Sequence, residues 1–163
     1  MSTLAGIGYD CHRLVSGRRL VLGGVEIAGE LGLEGHSDAD ALTHAVIDAL
    51  LGAAGLGDIG EHFPDTDERW RDADSLALLA TVCELIAGAR LRVVNVDCTV
   101  IIEAPKLAPH RAAIRERLAG VLGLPPARVG VKATTGERMG FVGRGEGVAV
   151  LALASLQELP SEG

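Results

Sequence analysis

Asp10 and His12 stand two residues apart in the run Gly8-Tyr9-Asp10-Cys11-His12-Arg13-Leu14, a segment that reads as a strand. A strand turns successive side chains to opposite faces, so Asp10 and His12 share one side while Tyr9, Cys11 and Arg13 take the other. A carboxylate and an imidazole side by side, joined by an imidazole from a helix, make a two-nitrogen, one-oxygen donor set. Such a set leaves one coordination position of a metal ion open for chemistry. His44, further along the chain, can supply the third donor. Taken alone, Asp10 and His12 are more often an ordinary polar pair at a strand end, because two residues make a weak pattern.

The elements that must position these groups are legible in outline. Leu4 to Leu14 reads as the first strand; Leu20–Leu22 and Val25–Ile27 flank Gly23-Gly24, a two-residue hairpin signal. Gly35 to Asp40 opens a helix, with Ser37 as N-cap and Asp40 as its capping-box partner, and the helix runs to about Ala54, where glycines end it. Asp40, His44 and Asp48 then share a face, so one carboxylate could accept from the second ring nitrogen of His44 while at least one other is solvated. Val46 and Leu50 supply the buried side.

Gly55 to Trp70 reads as a long acidic loop, of a length that is often functional. A helix over Ser75–Ala87 stops at Gly88, and Arg92–Glu103 is the clearest strand. A third helix over Ala108–Leu122 carries the stripe Ile114, Leu118, Val121, Leu122, and Val129–Thr134 and Gly147–Leu156 close the chain as strands. This order predicts a single-domain α+β fold, a mixed sheet with helices packed on one face.

Composition narrows the partners. The 163 residues suit one domain, taken as 1–157 with 158–163 as a frayed tail. A net charge of -7 argues against nonspecific binding to nucleic acid or an anionic membrane, so any phosphate must be held by metals, backbone amides and a few Lys or Arg. Cys11, Cys83 and Cys98 lack CxxC spacing and read as reduced thiols of a cytoplasmic protein, Cys83 in the core. No targeting segment or membrane-spanning run is evident. His62 and His110 read as surface residues, and Lys132 as a structural lysine at an edge or interface.

Four further segments bear on Asp10 and His12: Gly35-His36-Ser37-Asp38-Ala39-Asp40 with His44; Gly57-Asp58-Ile59-Gly60-Glu61-His62-Phe63-Pro64-Asp65-Thr66-Asp67; Glu103-Ala104-Pro105-Lys106-Leu107; and Val131 to Gly147, containing Lys132-Ala133-Thr134-Thr135-Gly136-Glu137. In order and spacing the whole set resembles the 2-C-methyl-D-erythritol 2,4-cyclodiphosphate synthase family of the non-mevalonate isoprenoid pathway, over essentially the entire chain to about Leu156. Two positions depart from the family pattern: Gly136, where Thr is common, and Glu103, where Gln or another polar residue is frequent. Gly136 could loosen the neighbouring diphosphate contacts.

The resemblance implies that 4-diphosphocytidyl-2-C-methyl-D-erythritol 2-phosphate is cyclised with release of CMP, its 2-phosphate attacking the β-phosphorus. It implies Zn2+ on Asp10, His12 and His44, and Mg2+ or Mn2+ on Glu137. His36 and Thr135 become the transition-state stabilisers. Ser37, with His36 at a helix N-terminus, offers an anion site, and Asp58, Gly60, Phe63, Asp65 and Asp67 become contacts to the methylerythritol side. Ile102, Ala104, Pro105, Lys106, Leu107 and Ala108 form the cytidine pocket, and Thr134 binds diphosphate.

The resemblance also implies a homotrimer with sites between subunits. Tyr9, Phe141 and Arg144 would line a cavity on its axis, suited to an isoprenoid diphosphate that neutralises three converging guanidinium groups. Two other functions stay open at this point: a zinc phosphohydrolase using water, separable by phosphorus NMR of the product, and a trimeric isoprenoid diphosphate binder with a vestigial site. Retention of all three proposed zinc ligands and Glu137 disfavours the second.

Overall fold

The computed structural model describes residues 2–160. Its main sheet has five strands in the order β4-β1-β7-β5-β6, formed by β1 (Thr3–Ser16), β4 (Leu31–Leu33), β5 (Leu91–Ile101), β6 (Val129–Thr134) and β7 (Gly147–Glu158). All neighbours are antiparallel except β5 and β6. This is the mixed α+β architecture expected, with two differences in the sheet. The hairpin strands β2 (Leu20–Leu22) and β3 (Val25–Ile27) make a separate two-stranded sheet, and the unexpected β4 takes the edge beside β1. Gly23 and Gly24 both hold positive φ, which suits the tight hairpin turn. Their N–H groups donate to the Asp40 carboxylate, which ties the hairpin to a helix start instead of the sheet.

The helices α1 (Ala41–Ala54), α3 (Ser75–Gly88) and α4 (Arg111–Leu122) pack together on one face, with α1 crossing β1 and β7. Two glycines explain how closely α1 lies on the sheet. A Cβ on Gly8 would fall on the Ala45 carbonyl oxygen, and one on Gly6 on the Ala49 carbonyl oxygen and the Ala53 nitrogen. Glycine in β1 and a small-residue row, Ala45, Ala49 and Ala53, thus let two backbones meet without side chains between them. His44 is carried directly over β1 by this contact. The core beneath is aliphatic, with Leu42, Ile47, Leu50, Leu79, Ile114 and Leu118 fully buried.

The opposite face of the sheet is bare. The cross-strand pairs Ile7 with Leu153 and Tyr9 with Leu151 lie there, Ile7 being 74% and Leu153 46% exposed. Asp97 and Lys132 flank them, joined by a 2.6 Å ion pair that gives Lys132 the structural role expected.

Several local expectations need correction. Asp40, not Ser37, is the N-cap of α1: it accepts from the Thr43 N–H at 2.9 Å, while Ala39 at φ 56 separates Ser37 from the helix. The acidic loop contains a short helix, α2 (Ile59–His62), and a 3-10 turn at Glu68–Trp70. The Ala108–His110 segment is a 3-10 turn ahead of α4, and α5 (Gly140–Gly143) was not foreseen. The tail is anchored as far as Pro160: β7 reaches Glu158, Leu159 N–H donates to the Arg90 carbonyl, and Arg90 donates to the Pro160 carbonyl. Residues 161–163 of the expected tail lie outside the described residues. Among the described residues, no helix is long and apolar enough to cross a membrane.

Candidate active site

The alternation of β1 sends Asp10 and His12 to the helix side, and α1 brings His44 down on them. One ligand atom from each of the three residues lies within 4.8 Å of the others. His12 Nε2 is 2.8 Å and His44 Nδ1 3.2 Å from Asp10 Oδ2. The other nitrogen of His12, Nδ1, lies 2.8 Å from the Glu34 carbonyl and must donate to it, since a carbonyl only accepts. Neutral His12 therefore turns a lone pair from Nε2 toward a carboxylate. That nitrogen is buried and without a hydrogen-bond partner, being close to Asp10 but out of line with it. Acceptors aimed at one point need a cation between them, so the residues present fit a metal ion. Gly35 leaves room for the His12 ring, since a Cβ there would lie 3.1 Å from His12 Cε1.

The charges in the cluster support one another. Burial opposes the charge on Asp10, but His12 and His44 beside it outweigh that and hold its carboxyl below the ordinary carboxylate range. Burial likewise opposes charge on His12, and the Asp10 carboxylate overcomes it, so His12 keeps a proton to higher pH than a free imidazole.

The cluster opens on a cleft of about 480 Å³ whose walls include His12, His44, His36, Ser37, Gly60, Phe63 and Asp65. The structure thus brings together in one place much of what the sequence assigned to the metal and methylerythritol side. Trp70 and Leu78 join the wall and were missed; Trp70 packs edge-on against Phe63 with ring centroids 5.1 Å apart. A lone aromatic ending a loop carries no periodic signal by which to place it.

Other assignments shift. Asp58 caps α2, accepting from Glu61 N–H at 3.0 Å. Asp67 caps the turn at Glu68–Trp70 and is held by Arg69, with its Oδ2 2.6 Å from Arg69 Nη2, so its carboxylate is committed inside the loop. Only its carbonyl approaches the cleft, 3.4 Å from His36 Nε2. The second ring nitrogen of His44 goes to neither Asp40 nor Asp48. It meets Ser75 Oγ at 2.7 Å and Ser37 Oγ at 3.1 Å. Neither of those aspartates is simply solvated: Asp40 is fully buried under four donors, and half-buried Asp48 accepts from Ile59 N–H. His62, read as an unpartnered surface residue, donates to the Leu56 carbonyl at 2.7 Å.

The segments that the sequence assigns to phosphate and cytidine lie elsewhere. Cys11, Ala149, Ile101 and Thr134 form one row across the sheet through successive strand pairings. Thr134 is therefore three strand spacings from β1, about 14 Å, and faces the bare side, while Asp10 and His12 face the helices. Thr135 and Glu137 follow it on an exposed turn, with Glu137 N–H donating to Thr135 Oγ1 at 3.1 Å. Ala104 and Pro105 line a separate shallow groove with Leu14 and Leu31, whereas Ile102 and Leu107 bury their side chains and can offer only backbone. Lys106 and Ala108 are exposed. Phe141 and Arg144 are exposed too, and Arg144 is paired with Glu146 at 2.7 Å.

The sequence profile of the YgbB family matches residues 3–157. The chain belongs to the YgbB family. It is 62% identical over 151 residues to the 2-C-methyl-D-erythritol 2,4-cyclodiphosphate synthase of Symbiobacterium thermophilum, covering 93% of this chain and 96% of that protein. Among solved structures it matches the bifunctional IspDF of Campylobacter jejuni with a TM-score of 0.94 at 42% identity, covering 97% of this chain and 43% of that one. A 2C-methyl-D-erythritol-2,4-cyclodiphosphate synthase in a CDP-bound form matches with a TM-score of 0.87 at 38% identity, over 94% of this chain and 99% of that one. The YgbB-family chain is thus an enzyme of the lyase type that its relatives represent.

The two departures from the family pattern touch each other in this YgbB-family enzyme. Glu103 Oε1 accepts from Gly136 N–H at 2.6 Å, and a Cβ on Gly136 would crowd Gly143 N and Met139 O at about 3.0 Å. This bond joins the Glu103–Leu107 segment to the turn after β6.

Proposed function

We propose that this chain converts 4-diphosphocytidyl-2-C-methyl-D-erythritol 2-phosphate to 2-C-methyl-D-erythritol 2,4-cyclodiphosphate and CMP, as a cytoplasmic homotrimer. The observation that carries the reading is the Asp10, His12 and His44 cluster, with a buried unpartnered nitrogen, opening on a cleft walled by His36 and Ser37. One oxygen of the 2-phosphate forms a bond to the β-phosphorus, and the bond from that phosphorus to the CMP oxygen breaks. The nucleophile belongs to the substrate, so the protein needs no serine or cysteine activated by a base.

Asp10, His12 and His44 would hold Zn2+, whose borderline character suits two imidazoles and a carboxylate. Glu137 would hold Mg2+ or Mn2+, which prefer oxygen. Bound there, the metals supply Lewis-acid stabilisation of the phosphate oxygens and relieve repulsion between the two anionic groups. His36 and Thr135 donate to phosphate oxygens as charge moves to the leaving group. Asp58, with one carboxylate oxygen left over from its cap, accepts from an erythritol hydroxyl beside Gly60, against the wall formed by Phe63 and Asp65. Backbone groups of Ile102–Ala108, around Pro105 and Lys106, read the cytosine edge, and Thr134 holds the diphosphate.

Two observations support a site shared between copies. Thr134 lies about 14 Å from β1 and on the other face from Asp10 and His12, which suits a diphosphate turn that serves the site of a neighbouring copy. The bare apolar face around Ile7 and Leu153 also suits burial against a second chain. The test is substrate turnover with and without chelator, alongside His44→Ala, read as CMP release and by phosphorus NMR. Both losses should abolish the cyclic product. CMP release that survives both, or a linear monophosphate product, overturns the mechanism.

A further inference from the structure

We propose that Ser75 and Asp38 form a relay that holds His44 in its metal-binding tautomer and so sets the affinity of the cluster for a divalent cation. This rests on the metal reading of Asp10, His12 and His44. Ser75 is the first residue of α3 and is fully buried. Both of its donors go to one carboxylate: its N–H meets Asp38 Oδ2 at 2.9 Å, and its hydroxyl makes a very short bond to Asp38 Oδ1.

A serine hydroxyl has one proton. With that proton committed to Asp38, Ser75 Oγ can face His44 Nε2, 2.7 Å away, only as an acceptor. His44 therefore carries its proton on Nε2 and turns the lone pair of Nδ1 toward Asp10 Oδ2 at 3.2 Å. The competing tautomer has its own attraction. A proton on Nδ1 would donate to the Asp10 carboxylate, and that bond would consume two ligand atoms and close the site. The relay works against it.

Ser37 Oγ is a longer second partner of the same nitrogen, at 3.1 Å, and also faces Ala39 N–H at 3.4 Å. Asp38 is itself held in place: its N–H donates to the Ala73 carbonyl at 3.3 Å, and its Oδ1 accepts from Asp40 N–H at 3.2 Å. Carboxylates behind metal-binding histidines commonly fix the tautomer and raise ligand basicity. Here the carboxylate acts through a hydroxyl that also starts a helix, so α3 is coupled to a ligand on α1.

The test uses the full chain, stripped of metal, with nitrogen-15 histidine NMR for the tautomer and zinc titration against a chromophoric chelator for affinity. Wild type should show His44 protonated at Nε2. Ser75→Ala should populate the Nδ1 form and weaken zinc about 10–100-fold, with Ser75→Thr restoring both readouts. A merely structural role for Ser75 would lower the melting temperature and leave the tautomer unchanged. Ser75→Ala with wild-type zinc affinity and an Nε2 proton overturns the relay. If Ser75→Ala does not fold, Asp38→Asn takes its place, and unchanged affinity there overturns the relay equally. Absence of stoichiometric zinc on the wild type, with His12→Ala no different, would instead sink the metal reading beneath it.

Discussion

The cluster of Asp10, His12 and His44 and the turn from Thr134 to Glu137 are built in opposite ways. Asp10, His12 and His44 sit where a strand and a helix touch backbone to backbone, and each ring has a second partner on its far nitrogen. Thr134, Thr135 and Glu137 are exposed, on a turn at the sheet's far edge where Glu137 and Arg138 both adopt positive φ. Core packing organises the first region within one chain before any ligand arrives. The second is held by few bonds, chiefly those to Glu103 and from Ile102 N–H to the Thr134 carbonyl. Burial lets a single chain position ligand atoms to within tenths of an ångström; an exposed turn needs a neighbour or a substrate to complete it.

The largest expected effect comes from breaking the first region at its foundation. Gly8→Ala puts a methyl group onto the Ala45 carbonyl and should cost about 2–4 kcal/mol of stability, read by urea denaturation, with loss of zinc binding. An unchanged midpoint would mean that α1 does not rest on β1 as described. Leu153→Arg attacks the bare face instead and should yield smaller assemblies by sedimentation that still bind zinc but turn over at least tenfold more slowly. Retained turnover in a monomer would refute the shared site.

Mixing sharpens the same contrast. His44→Ala and Thr135→Ala subunits, each inactive alone, should regain up to about a quarter of wild-type turnover when co-expressed, the chance that a site draws an intact half from each neighbour. No recovery would place both halves in one chain.

Acid should weaken the cluster of Asp10, His12 and His44. His12 must lose its proton to bind metal, and Asp10 raises its pKa above the ordinary 6.5. Zinc affinity should therefore begin to fall above pH 6.5 and then drop about tenfold per pH unit as pH decreases. In the metal-free protein the same pair stabilises the fold. The His12 contribution is complete below 6.5 and lost as pH rises through its raised pKa; the Asp10 contribution is present above 3.8 and lost as pH falls through its lowered one. A flat zinc affinity between pH 8 and 6 would contradict the pairing. The smallest effect is expected from Glu103→Gln, which keeps an acceptor but removes its charge. It should cost about 1 kcal/mol at the Gly136 bond, seen as a roughly fivefold loss in kcat/KM with zinc affinity untouched.

How much of this was legible in the sequence depended on whether a feature is local. The alternation that pairs Asp10 with His12 is a property of any strand, and the span of α1 followed from its spacing and terminal glycines. The N-cap was misplaced because Ser37 and Asp40 are both good caps, and the choice turned on the hairpin whose two glycine N–H groups Asp40 also satisfies. Ser75 escaped notice as a partner of His44 because it lies 31 positions away, on a helix that meets α1 only after folding. The Asp67 carboxylate is held by Arg69, two residues along, a pairing that the alternation of charges in the loop did not single out.

The sequence by itself determined the residue types at each ligand position, the period that puts Asp10 and His12 on one face, and the pattern that marks the family. All of these depend on neighbours along the chain or on the order of segments. Tertiary structure alone decided that His44 meets them, which of its nitrogens is free to do so, and that Thr134 stands on the opposite face of the same sheet. Those outcomes depend on which backbones can approach one another, and here that was settled by the absence of side chains at Gly6 and Gly8.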